Sequence, residues 1–243
     1  MFKNEFEFKR ISFCIIIISS LFLLCFTHSS FAQNKQTDSI HIHKKLFFVS
    51  AGMGVSYTNT PSFNNYLKDE VPFTNKDSIK DFSVGVEFFG GLEVQFSKQF
   101  SLKLDYSYFF KSLTYYVYGL TFDYFYSIHQ PYIVAYYIFP GKNYEFKFGG
   151  GAGYLYSALK KTDAEGTDQK YTSSGLGLKG EVVFAANLSQ RMRSYLSGFI
   201  LGTVNNNLKD ANSTPLTSPL SHDQISLNSF GIGARLGFSI KLN

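Results

Sequence analysis

From Phe82 the chain alternates with a period of two over sixteen residues. Phe82, Val84, Val86, Phe88, Leu92, Val94 and Phe96 fall on one side, and Ser83, Gly85, Glu87, Gly91, Glu93, Gln95 and Ser97 on the other. Successive side chains of a β-strand point to opposite faces, so the pattern predicts a strand with one apolar and one polar face. Phe100 to Lys111 repeats it after the tight turn Ser97-Lys98-Gln99. The same reading predicts strands near Lys45–Tyr57, Phe122–Phe139, Tyr144–Ala158, Thr172–Ala186, Arg193–Val204 and Ile225–Leu242, eight in all. Short connections at Ser97–Gln99, Pro140–Asn143 and Asn187–Met192 alternate with longer ones at Thr58–Lys80, Lys160–Tyr171 and Asn205–Gln224, and a link near Gly119 joins the third and fourth strands. The expected fold class is all-β, an eight-stranded antiparallel up-and-down barrel.

Alternation alone also fits a soluble barrel with an apolar interior. The polar face decides between the two, because small residues dominate it: Ser50, Gly52, Gly54 and Ser56; Gly149, Gly151 and Gly153; Ser173, Gly175 and Gly177; Gly231, Gly233 and Gly237. Glycine weakens a solvated strand face, whereas an eight-stranded barrel has an interior only just wide enough for side chains. Small residues therefore belong inside and the apolar face belongs to lipid, which makes the barrel a transmembrane one. By the same parity Glu87, Glu93, Lys103, Asp105, Glu145, Lys147, Lys179, Glu181 and Arg235 point inward. Five acids and four bases in so narrow a space imply a paired network, because an unpaired buried charge costs several kcal/mol. Most lie within about ten residues of a short turn, so the network is expected at the short-turn end of the lumen.

The chain opens with Lys3, Lys9 and Arg10, an apolar run from Ile11 to Phe26, and Ser30-Phe31-Ala32, a small-x-small pattern. The run is shorter than the roughly 20 residues of a membrane helix, so residues 1–32 are read as an export signal cleaved after Ala32. Residues 33–44 form a polar periplasmic lead-in, and 45–243 the barrel domain. Both cysteines, Cys14 and Cys25, fall in the removed segment, which excludes disulfides and thiol catalysis from the mature chain. Leu24 before Cys25 is not the small residue that lipidation needs. Cleavage lowers the formal charge from +5 to +4, a mild excess suited to anionic lipid headgroups and too scattered for nucleic acid. With 27 Phe, 17 Tyr and 20 Gly against 6 Pro, the composition is that of a β protein.

These residues resemble the outer-membrane β-barrel family common in Bacteroidota, sometimes called porin-like, and more loosely the eight-stranded adhesin and membrane-anchor barrels of enteric bacteria. The resemblance spans nearly the whole mature chain. Its best local match is Gln130-Pro131-Tyr132-Ile133-Val134-Ala135-Tyr136-Tyr137, followed by a turn and the glycine-rich strand Phe146–Tyr156. It implies residence in the outer membrane of a Gram-negative bacterium, and some family members assist protein secretion. The chain departs from the usual pattern in ending Ile240-Lys241-Leu242-Asn243 with no terminal aromatic.

Several constellations invite a chemical reading. Gly175-Leu176-Gly177-Leu178-Lys179-Gly180 matches G-x-G-x-x-G, but a dinucleotide site needs a strand before it and a helix after it, and the glycines are read as lumen packing. His41 and His43 share one face of an extended segment without a third metal ligand. Ser127, His129 and Glu87 are the one candidate set for a lipid-modifying hydrolase, with parity expected to place it inside the barrel. Asp163-Ala164-Glu165-Gly166-Thr167-Asp168 is read as a solvated acidic loop, with a cation bridging lipopolysaccharide phosphates as the sharper reading. The aromatic stretch Tyr115, Tyr116, Tyr118 and Phe122 is either an interfacial girdle or a hairpin projecting past the bilayer to meet a partner.

The expectation is a non-enzymatic outer-membrane barrel, monomeric and without cofactor or metal, serving envelope structure, surface interaction or accessory secretion. Its expected partners are outer-membrane lipid, lipopolysaccharide and an envelope or secretion protein, with no nucleic acid. A narrow channel for small solutes or ions is the alternative, and the hydrolase a lesser one.

Overall fold

The alternating segments form eight strands: β1 (Leu46–Asn59), β2 (Val84–Gln95), β3 (Phe100–Val117), β4 (Leu120–Pro140), β5 (Tyr144–Thr162), β6 (Asp168–Asn187), β7 (Met192–Asn205) and β8 (Ser229–Lys241). The structure is a computed structural model and describes residues 45–70, 83–117, 120–163 and 165–242. The expected signal, the lead-in with His41 and His43, Phe82, Tyr118 and Gly119 lie outside the described residues. Each strand pairs antiparallel with its sequence neighbour, and β1 closes the ring on β8 with Phe48 opposite Lys241 and Tyr57 opposite Ile232. The short connections and the described chain ends gather at one end, the turn end; the other is the loop end.

Counting from the turn end, each strand carries an outward apolar run of about eleven residues. It ends near Tyr57, Val84, Phe110, His129, Tyr156, Leu176, Val204 and Phe230 on β1 to β8. At a rise of about 3.3 Å per residue and a tilt of about 45°, that belt is roughly 25 Å tall, the height of a transmembrane band. Aromatic side chains mark its lower rim, with Phe100 edge-on to Tyr137 and Phe139 edge-on to Phe148. Inside the belt, most side chains are charged, hydroxylic, small or aromatic, with the aliphatic Val134, Ile138, Val183 and Leu201 between them. Polar inside and apolar outside is the signature of a transmembrane β-barrel.

β3 to β6 continue past the belt, and there the polarity inverts. Outward residues become Ser112, Thr114, Thr121, Asp123, Lys160, Thr162, Asp168 and Lys170, with Tyr116 and Phe125 as exceptions. Inward ones become mostly apolar, with Leu113, Tyr115, Phe122, Tyr124, Tyr126 and Leu159 joining one apolar cluster beside the cations Lys111 and Lys161. The four-stranded wall is thus amphipathic in the sense of a water-soluble sheet, and its apolar face needs a cover.

Two segments supply it. Thr58–Lys80 is expected as a plain connection, yet it contains a helix, α1 (Pro61–Glu70), that buries Phe63, Tyr66 and Leu67. Their i, i+3, i+4 spacing makes one apolar stripe, with Pro61 at the first helical position. The loop 206–228 crosses beside it and buries Leu208, Leu216, Ile225 and Leu227. The eighth strand is therefore shorter than expected, starting at Ser229 and not at Ile225. Ile225 alternates like a strand residue, but its backbone pairs within the loop, to Leu216 and Leu208 at 2.9 and 2.8 Å. Conversely β5 and β6 extend into the expected loop Lys160–Tyr171, leaving only 163–167 as the connection.

Candidate functional site: the charged lumen

Within the belt, β2, β3, β5, β6, β7 and β8 each send charged side chains inward, and all nine charges expected in the lumen lie there. They sort into two layers. The upper layer centres on Asp105, fully buried, which receives Lys103 at 2.8 Å, Lys179 at 2.9 Å and Arg235 at 2.7 Å. Arg235 also bonds Glu87. Glu181 faces Lys179 at 3.2 Å and accepts hydroxyls from Tyr136, Tyr195 and Ser197 at 2.6, 2.8 and 2.7 Å. Three acids meet three bases, so the layer is neutral.

The lower layer, nearer the turn end, holds Lys147 against Glu93 at 2.6 Å and Glu145 at 3.5 Å. Arg193, which the expected set lacks, bonds Glu145 at 2.7 Å and brings this layer to neutrality as well. Arg193 has the same parity as inward Tyr195, so alternation alone marks it. Aromatic rings floor and roof the cations: Lys103 stands 4.8 Å from the Tyr195 ring centre, Arg235 4.8 Å from Phe199, and Arg193 4.3 Å from Phe48. Such contacts favour a desolvated cation over an ordinary apolar neighbour.

The inward glycines are seats for these rings. A methyl group added at Gly85 would strike the Phe109 ring, at Gly149 the Tyr136 ring, at Gly153 the Tyr132 ring and at Gly233 the Phe199 ring. At the outward Gly202 it would meet nothing within 4 Å. Small residues line the lumen because aromatic and cationic side chains lie across it.

At the loop end a third pairing ties the cover to the wall. Glu70 of α1 bonds Lys161 and accepts the Tyr124 hydroxyl, while Lys161 reaches the Tyr66 hydroxyl at 3.3 Å. Burial and the adjacent Glu70 carboxylate push the Tyr66 hydroxyl far above its ordinary range, so it stays protonated. Ser218 donates to Asp69 at 2.6 Å, and the Ser226 amide to the Ser62 hydroxyl at 3.2 Å, linking loop to helix.

The expected hydrolase set does not assemble. Parity on β4 places Ser127 and His129 outward, where the Tyr106 hydroxyl lies 2.7 Å from His129 Nδ1, whereas Glu87 is inside with Arg235. The barrel wall separates the base from its carboxylate. The reading of Tyr115 and Phe122 as partner contacts also requires correction. They face each other across the β3–β4 ladder on the inner side and pack on the apolar cluster, because the polarity inversion turns that face into a core. Tyr116 alone of the described set stands out, 77% exposed. The G-x-G-x-x-G residues run through the middle of β6, with no helix after them. In the acidic loop the Asp163 carboxylate accepts the Glu165 and Thr167 amides at 3.1 and 2.8 Å, and Asp168 pairs with Lys160 at 2.8 Å. Among the described residues no group of three His, Cys, Asp or Glu side chains is placed to hold a metal.

Together the ring and its filled lumen define a small eight-stranded transmembrane barrel. It is similar to a major outer membrane protein from Thermus thermophilus, with a TM-score of 0.51, 13% identity, and 82% of this chain and 100% of that one covered. Further matches are Ail, the attachment invasion locus protein of Yersinia pestis (TM-score 0.47, 11% identity, 82% and 99% covered), and Neisserial surface protein A (0.46, 10%, 81% and 97%). At these identities the likeness concerns the fold. No protein-family model matches the sequence, and no curated protein is similar to it in sequence.

Proposed function

We propose that the chain is an outer-membrane barrel of a Gram-negative bacterium, exported by a cleaved signal, that spans the bilayer as a closed plug. It serves envelope structure or surface contact and carries no solute. The observation that carries this reading is the pair of neutral ionic layers across the lumen. An ion entering them would have to displace charge-assisted bonds between side chains buried to 2% exposure or less at Asp105, Glu87, Glu181, Lys103 and Arg235. The belt supports membrane residence, and the alternation of short turns with long connections supports a periplasmic turn end and an outer loop end. The local match at Gln130–Tyr137 supports kinship with the porin-like barrels of Bacteroidota. The test is conductance across planar bilayers containing the purified protein. No steps above the lipid baseline are expected, and reproducible openings of the wild-type protein would overturn the closed plug in favour of a narrow channel.

A further inference from the structure

The short turns share a feature that the lumen does not explain. Each carries one basic residue and no acidic one: Lys98 between Ser97 and Gln99, Lys142 in 141–143, and Arg191 in 188–191. Lys241 at the end of β8 adds a fourth, and Lys45 joins them with its ammonium 5.7 Å from the Phe96 ring. The described loop end, by contrast, is acidic on balance. The molecule is polar along its axis, with its positive pole on the turn end.

The depth of these cations is fixed by their neighbours. Lys98 lies between exposed Phe96 and Phe100, Lys142 between exposed Phe139 and Tyr144, Arg191 between Leu188 and Met192, and Lys241 between Ile240 and Leu242. A cation bracketed on both sides by belt side chains sits where hydrocarbon gives way to headgroups. Two of them share a built recess. The Lys241 amide donates to the Arg191 carbonyl at 2.7 Å, and the Ser189 hydroxyl accepts the Arg191 and Met192 amides at 3.3 and 3.0 Å. This holds the backbones of Arg191 and Lys241 together, and the two residues line, with Gln190 and Leu242, a half-open recess of about 250 Å³.

We propose that this recess seats the phosphate of an anionic phospholipid, with the other turn-end cations gathering the same lipid class around the rim. Guanidinium, ammonium and carboxamide supply donors only or mainly to the phosphate oxygens, and exposed Leu242 and Ile240 stand ready for the acyl chains. A soluble acidic protein fits less well, because it would have to strip the flanking aromatic and aliphatic side chains from the membrane. The proposal rests on the reading that the belt is membrane-embedded.

The test reconstitutes the protein in nanodiscs holding equal amounts of phosphatidylglycerol and phosphatidylcholine, and reads the retained lipids by native mass spectrometry. Phosphatidylglycerol is expected in excess by at least about fivefold, the selectivity that even one of the two recess cations would supply. Arg191→Gln with Lys241→Gln should cut that excess several-fold, to the part that Lys45, Lys98 and Lys142 retain, while Lys160→Gln with Lys170→Gln at the loop end should leave it unchanged. No excess in the wild type, or an excess that the turn-end variant does not lower, overturns the proposal. Loss of the bound lipid to millimolar inorganic phosphate would overturn the lipid in favour of the free ion. Heat-modifiable migration of the same sample separates the two levels. A folded barrel without lipid preference sinks only this proposal, and failure to form a barrel in lipid sinks the membrane reading beneath it.

Discussion

Arg235 reaches two carboxylates from one strand, Asp105 on β3 and Glu87 on β2, and is 2% exposed. Arg235→Ala would leave the buried Glu87 without its guanidinium partner, a loss of about 3–5 kcal/mol for a broken buried pair. Urea unfolding of the refolded barrel should show that loss, and adding Glu87→Gln should recover part of it. A double variant no more stable than Arg235→Ala would mean that the layer is not held by charge balance. Glycines offer a second residue-scale measure. Gly175→Ala would drive a methyl into the Val204 carbonyl and is expected to cost about 1–3 kcal/mol, as overpacking does; Gly202→Ala, facing open space, should cost little. Most lumen residues were legible, because a period of two assigns a face to every residue once one face is known. The exceptions are instructive. Ser127 and His129 are a serine and a histidine in a strand where polarity does not announce direction, and only the register of β4, fixed by Tyr132, Val134 and Tyr136 inside, puts them on the outer side.

At the scale of elements, the wall of β3 to β6 above the belt and the cover of α1 and loop 206–228 form a small apolar core outside the membrane. Phe63→Ala removes a ring stacked on Tyr66 and edge-on to Tyr124. Core truncations of this kind cost about 3–5 kcal/mol, here borne by the cover. Limited proteolysis should then cut within 206–228 while heat-modifiable migration of the barrel persists. Loss of both together would show that cover and barrel unfold as one unit. The helix carried a readable signal, Thr60-Pro61 followed by Phe63, Tyr66 and Leu67, but a single ten-residue helix is easily overlooked between two alternating strands. The inversion itself was not legible. Alternation continues through Tyr115 and Tyr124 with unchanged period, and only the absolute height of each residue in the barrel says whether an inward aromatic faces a polar lumen or a cover.

For the whole molecule, the proposed topology sets the loop end in outer solvent and the turn end in the periplasm. If the proposed cleavage removes Cys14 and Cys25, Thr121→Cys should react with a membrane-impermeant maleimide on intact cells and Gln99→Cys should not. Labelling at 99 without labelling at 121 would reverse the orientation. The cover has one more consequence, which concerns how the ring shuts. β1 and β8 are the strands that meet last in sequence, and the ladder between them is the seam of the barrel. α1 follows β1 directly, and loop 206–228 leads directly into β8. The bonds from Ser62 to Ser226 and from Asp69 to Ser218 therefore join the two sides of the seam a second time, above the membrane. They act as a clasp on a closed bracelet, able to form only when the first and last strands have found each other, and resisting the lateral parting of that one ladder once they have.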